Sequence, residues 1–196
     1  MIFISDTKEK ILKEALNLFG SKGYTATSMN DIAGAIGIKK SSLYFHYRGK
    51  EEIFLKLFRR IVEEHQDELE KIMKGLKNKN TFEKLFHIFS GYLHYCENNP
   101  NIDFWNRIFY FPPEVFKEEI YSKTEFVENI MKVEIKKVFM EGMDNHEIKE
   151  NDPYKLTISF YYMMLGFMLS LVDYKNKSIE KDIKNCLEVF FESIRI

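Results

Sequence analysis

The chain has 196 residues, enough for one or two domains with a proper core. It is 45% hydrophobic and 30% charged, with only four prolines and nine glycines. This soluble, globular composition sets aside strand-rich and turn-rich folds in favour of an all-α one. The net charge of −1 excludes a strongly basic or acidic chain, but the charge is unevenly spread. Residues 1–50 carry +4, leaving −5 for residues 51–196, so a basic end sits on an acidic body and points to a polyanionic partner.

In chain order, the first helix is expected from "SDTKEKILKEALNLF", with Asp6 and Glu9 as a capping box. Ile11, Leu12, Ala15, Leu18 and Phe19 share one face, and Gly20 and Gly23 mark its end. Thr27 or Ser28, with Asp31, starts a two-turn helix that Gly37 breaks. A third short helix covers residues 39–47. Longer helices are expected over 50–74, from Asn80 or Thr81 to about Asn98, and over 101–110. Another follows "PP" at 112–113 and reaches Met143, with a break near Ser122. Asp152 and Pro153 open an apolar helix to about Tyr174, and Ser178 caps a last one carrying Ile183, Leu187, Phe190 and Ile194. Residues 156–172 lack charge, but the run is shorter than the roughly 20 residues a bilayer requires, so a helix buried on all sides is expected. Cys96 and Cys186 lack metal spacing and read as buried, reduced thiols of a cytoplasmic protein. The N-terminus is charged too early for a signal peptide.

Residues 29–48 form a unit: two short helices meeting across Gly37, with Ala33 small enough for close approach. Ile32, Ile36, Ile38 and Leu43 lock them together as a helix-turn-helix. The second helix offers Lys39, Lys40, Ser41 and Ser42 to base edges and phosphates.

The stretch "GYTATSMNDIAGAIGIKKSSLYFHYRGKEEIF" resembles the N-terminal domain of TetR-type transcriptional regulators. Gly23-Tyr24, Thr27-Ser28, Ile32-Ala33, Gly37, Leu43-Tyr44, His46, Tyr47 and Lys50-Glu51 carry the likeness, over about residues 6–55. It implies a DNA-binding domain, residues 1–50, and a helical ligand-binding and dimerisation domain, residues 51–196. It also implies a homodimeric repressor or activator, read here as a repressor, that a small molecule releases from a palindromic operator. By that likeness Thr27, with its neighbour Ser28, and Lys40, Ser42, Tyr44, His46 and Lys50 fall where family members touch DNA. Two positions depart from the pattern: Lys39 replaces a capping Ser or Thr, and Ser41 a common glycine.

The body is rich in rings between residues 82 and 126, which can line a pocket for a small apolar or aromatic effector. Phe86, Phe89, Tyr92, Trp105, Phe109 and Phe126 are the expected lining. The last two helices expose more apolar surface than one domain covers. A homodimer bundle through Tyr161, Leu165, Gly166, Leu169, Leu187 and Phe190 would bury it and space two reading helices by about 34–36 Å. His87 and His94 lack metal spacing, no catalytic constellation stands out, and neither cofactor nor metal is called for. The rival classes are a membrane-associated helical protein and a helical enzyme using the aromatic cavity.

Overall fold

The computed structural model describes residues 2–170 and 179–196. The helices, in order, are α1 (Ile2–Lys22), α2 (Met29–Ala35), α3 (Lys40–His46), α4 (Lys50–Lys74), α5 (Thr81–Asn98), α6 (Ile102–Tyr110), α7 (Lys117–Asp144), α8 (Pro153–Ser170) and α9 (Ile179–Ile194). A 3₁₀ turn, Glu114–Phe116, precedes α7. No strand occurs among the described residues, although Ile148 and Arg195 form an antiparallel bridge. The all-α expectation holds.

Several details differ from it. α1 begins at Ile2, so Asp6 lies inside the helix and is not its cap. α7 runs unbroken through Ser122, because Ile120, Thr124, Val127, Met131, Ile135 and Val138 keep one continuous buried stripe. The expected end of α8 at Tyr174 and the cap Ser178 lie outside the described residues.

The chain divides into two compact units, each with its own core. The first comprises Met1–His65 and Pro100–Glu125. Its centre is Phe54 of α4, stacked on Phe116 at 5.1 Å and edge-on to Phe19 of α1 at 5.4 Å. Phe104 of α6 and Tyr24 complete the ring cluster. Arg107 of α6 donates from Nε to the Gly20 carbonyl at 2.8 Å and from Nη2 to that of Ser21 at 3.0 Å, satisfying acceptors at the open end of α1. His65 is buried and stacks on Trp105 with centroids 4.2 Å apart. That burial lowers its pKa to about 4 and keeps the imidazole neutral.

The second unit comprises Gln66–Asn99 and Phe126–Ile196. Asn80 caps α5 in a capping box with Glu83, and the Thr81 amide donates to Glu147 at 2.6 Å. Leu156, Phe160, Met164 and Met168 form the buried stripe of α8. Phe160 sits among Phe89, Phe139 and Phe190 at centroid distances of 5.7–6.3 Å. The opposite side of α8 is open at Tyr162, Gly166 and Leu169, so the helix is not buried on all sides. Cys96 is buried, which pushes its thiol pKa up to about 12. Cys186 of α9 is exposed, contrary to the expectation of two buried thiols. No described helix is long and apolar enough to cross a membrane.

Candidate nucleic-acid interface

The corner is built from local rules. α1 ends where Gly23 takes φ +84°, a left-handed conformation suited to glycine. Ser28 caps α2: its Oγ accepts from the Asp31 amide at 3.2 Å, and the Ser28 amide donates to the Asp31 carboxylate at 2.8 Å. The Ser28 hydroxyl also donates to that carboxylate at 2.6 Å, and these bonds hold the Asp31 pKa below its usual value. Gly37, at φ +71°, turns the chain, while Ile38 donates to the Ala33 carbonyl at 3.0 Å. Ile32, Ala33 and Leu43 are buried at the contact of α2 with α3.

α3 has two faces. Leu43 is fully buried and Tyr47, just past the helix, is 3% exposed. Burial raises the Tyr47 phenol pKa, with lesser contributions from Glu9 and Glu52. Lys39, Lys40, Ser41 and Ser42 are all exposed on the other side. Lys39 is the N-cap and is exposed; its ammonium, a donor only, cannot accept from the amides of the first turn. Tyr44 is half-exposed with the Lys40 ammonium 5.9 Å from its ring, and His46 is partly exposed. Phe45 stands outward as well, although its position was not among those expected to touch DNA. Its spacing of four from Ser41 and two from buried Leu43 is the signal that could have found it.

Two of the expected DNA contacts are engaged inside the domain. Thr27 is 1% exposed, and its hydroxyl donates to the carbonyls of Gly23 at 2.8 Å and Leu18 at 3.3 Å. The Lys50 ammonium donates to the carbonyls of Tyr24 and Thr27, both at 2.8 Å, and lies 4.3 Å from the Tyr24 ring. Both residues tie the turn after α1 to its surroundings, so these motif positions carry structure.

The six residues expected around an effector are divided between the two units. Trp105 and Phe109 belong to the first unit, where they stack on each other. Phe89 and Tyr92 are buried in the second, Phe86 is partly exposed, and Phe126 points to solvent. The second unit instead holds a cleft of about 610 Å³ beside α4, α5 and α7. Its walls are Leu69, Met73, Leu76, Ile130 and Val138, with Lys74 paired to Glu70 and Lys84 paired to Glu141 at the rim. Lysines and glutamates make up the rest of its lining, and no ring is part of it. Of the expected dimer residues, Tyr161 and Leu187 are committed to their own unit's core, and Phe190 packs on Phe139 and Phe160. Leu165 is partly exposed, while Gly166 and Leu169 are open. Among the described residues, no group of His, Cys, Asp and Glu could hold a metal.

A three-helix head that buries Leu43 and turns lysines and hydroxyls outward defines a helix-turn-helix protein. Residues 11–57 match the model of the bacterial regulatory proteins of the tetR family. Over 49 residues the chain is 51% identical to the biofilm operon icaADBC HTH-type negative transcriptional regulator IcaR of Staphylococcus epidermidis. That match spans 25% of this chain and about a quarter, 26%, of the relative. The protein of the same description from Staphylococcus aureus (strain Newman) is 26% identical over 202 residues, covering 94% of this chain and 99% of the relative. Two solved structures share the fold over nearly the whole chain. The ketosteroid transcriptional regulator KstR2 of Mycobacterium tuberculosis has a TM-score of 0.70 at 18% identity, covering 97% and 95% of the two chains. A protein described as a transcriptional regulator of Saccharomonospora viridis, in complex with choline, has a TM-score of 0.71 at 19% identity, covering 98% and 99%. The head, residues 11–57, is thus that of the tetR family of bacterial regulatory proteins, and the chain as a whole is similar to transcriptional regulators.

Proposed function

We propose that this regulator is a cytoplasmic repressor that binds a palindromic operator as a homodimer and leaves it when a small apolar effector binds. The observation that carries this reading is the outer face of α3, where Lys39, Lys40, Ser41 and Ser42 are exposed above a buried Leu43. Residues 1–50 are read as the DNA-binding domain and 51–196 as the ligand-binding and dimerisation domain. Lys39 and Lys40 supply phosphate attraction, Ser41 and Ser42 face bases, and Tyr44 and His46 brace against the backbone. Thr27, Ser28 and Lys50 act from behind, through the bonds that fix the turn and the start of α2. Repression is favoured because both IcaR relatives are named negative regulators.

The open side of α8 at Leu165, Gly166 and Leu169, joined by Val189 of α9, suits a second copy of the chain. The 610 Å³ cleft is of a size for a drug-sized apolar molecule and replaces the aromatic lining as the effector site. Release is a population shift: an effector that prefers the DNA-incompetent state lowers operator affinity by its ratio of affinities for the two states. The test selects duplexes from a random library with the purified chain, then titrates the winner by fluorescence anisotropy. A palindromic winner, bound by two chains with strong salt dependence, supports the reading; no selected duplex, or one bound by a single chain, defeats it.

A further inference from the structure

Among the described residues no large hydrophobic side chain is more exposed than Phe45, at 81%. It lies in the last turn of α3, three residues after Ser42 and four after Ser41, and therefore on the face those hydroxyls share. Leu43, two positions earlier, points the other way and is fully buried. The ring is flanked edge-on by His46 at 5.5 Å, which limits its swing along the helix.

Its surroundings say what covers it. Lys39, Lys40, Ser41 and Ser42 are exposed at the other end of the same short segment and half-exposed Tyr44 is its neighbour, so the ring stands in a cationic, hydroxyl-bearing setting with little apolar surface beside it. A protein partner would ask for a continuous apolar patch, which this face does not offer. A polyanion with occasional apolar spots matches both the lysines and the ring. In the major groove the one apolar group on the base edges is the thymine C5-methyl, and phenylalanine is among the side chains that pack on it. We propose that Phe45 is a specificity-determining residue that packs against a thymine methyl in each half-site of the operator. This rests on the DNA-binding reading above.

The experiment uses the full-length chain and the duplex selected with it. Each thymine is replaced in turn by deoxyuridine, which keeps the base pair and removes only the methyl. Binding is followed by anisotropy at fixed salt for the wild type, Phe45→Ala and Phe45→Leu. The expected result is one position per half-site where losing the methyl weakens the wild type about fourfold, the worth of one buried methyl. At that position Phe45→Ala loses affinity on the thymine duplex and shows no further loss on deoxyuridine, while Phe45→Leu keeps part of the sensitivity. Because the ring is exposed, melting temperatures of the variants should match the wild type, which separates lost contact from lost fold. If every deoxyuridine weakens the wild type and Phe45→Ala equally, the inference is overturned while the DNA-binding reading stands. If the wild type selects no duplex, both fall.

Discussion

The core of the second unit and the outer face of α3 use aromatic side chains in opposite ways. In the second unit, Phe89, Phe139, Phe160 and Phe190 close on one another, and none of them lines the cleft. On α3 of the first unit, Leu43 is buried while Phe45 and half of Tyr44 face outward. A ring in a core contributes through burial, whereas a ring left among lysines forgoes that gain, roughly 1.5–3 kcal/mol for a large apolar side chain. Ring content alone therefore does not mark a binding site; rings that packing leaves unused do.

The sharpest way to break this contrast is to remove a core ring. Phe160→Ala should destabilise the protein by about 3–5 kcal/mol, measured by chemical denaturation. A loss under about 1 kcal/mol would mean that the ring cluster is not the core described here.

His65 tests the first unit. Its pKa is lowered to about 4 from an ordinary 6.5, so the unfolded chain takes up the proton first as pH falls. The His65 contribution to stability is full above pH 6.5, declines as pH drops toward about 4, and is gone below that. The total is roughly 3 kcal/mol. His65→Phe, which keeps a ring against Trp105, should flatten that part of the stability–pH curve; an unchanged slope would assign the acid sensitivity elsewhere.

Smaller effects separate latch from contact. Thr27→Val leaves the carbonyls of Gly23 and Leu18 without their hydroxyl donor and should cost about 1–3 kcal/mol in thermal unfolding. Its salt dependence of DNA binding should not change. Lys40→Ala should do the reverse, with stability within about 0.5 kcal/mol of wild type and a salt slope lower by about one per chain. If Thr27→Val alters the slope, or Lys40→Ala leaves it unchanged, the division between inner and outer residues is wrong.

Much of the head was legible from residue spacing. Ser28 with Asp31, Gly37, and the apolar points Ile32, Ala33 and Leu43 each have one local solution, and short-range backbone rules enforce it. What spacing does not reveal is where a long side chain ends. Lys50 reaches back to carbonyls 23 and 26 residues earlier, and Thr27 reaches the end of α1, through packing that no local pattern encodes. In the body the helices were visible through their apolar stripes. The site was not, because Phe89 and Phe126 look alike in sequence yet one is fully buried and the other 57% exposed. Ser122 misled for a related reason: a polar residue on the outer side of α7 does not interrupt the stripe beneath it.

The unequal cysteines have a practical consequence. Cys96 is shut away with a thiol that stays protonated at neutral pH, while Cys186 stands open on α9. A maleimide probe added to the native protein therefore marks one position per chain without any engineering. In the proposed homodimer two such probes form a molecular ruler, and the distance between them tests the proposed pairing of chains and any change in it when a candidate effector is added.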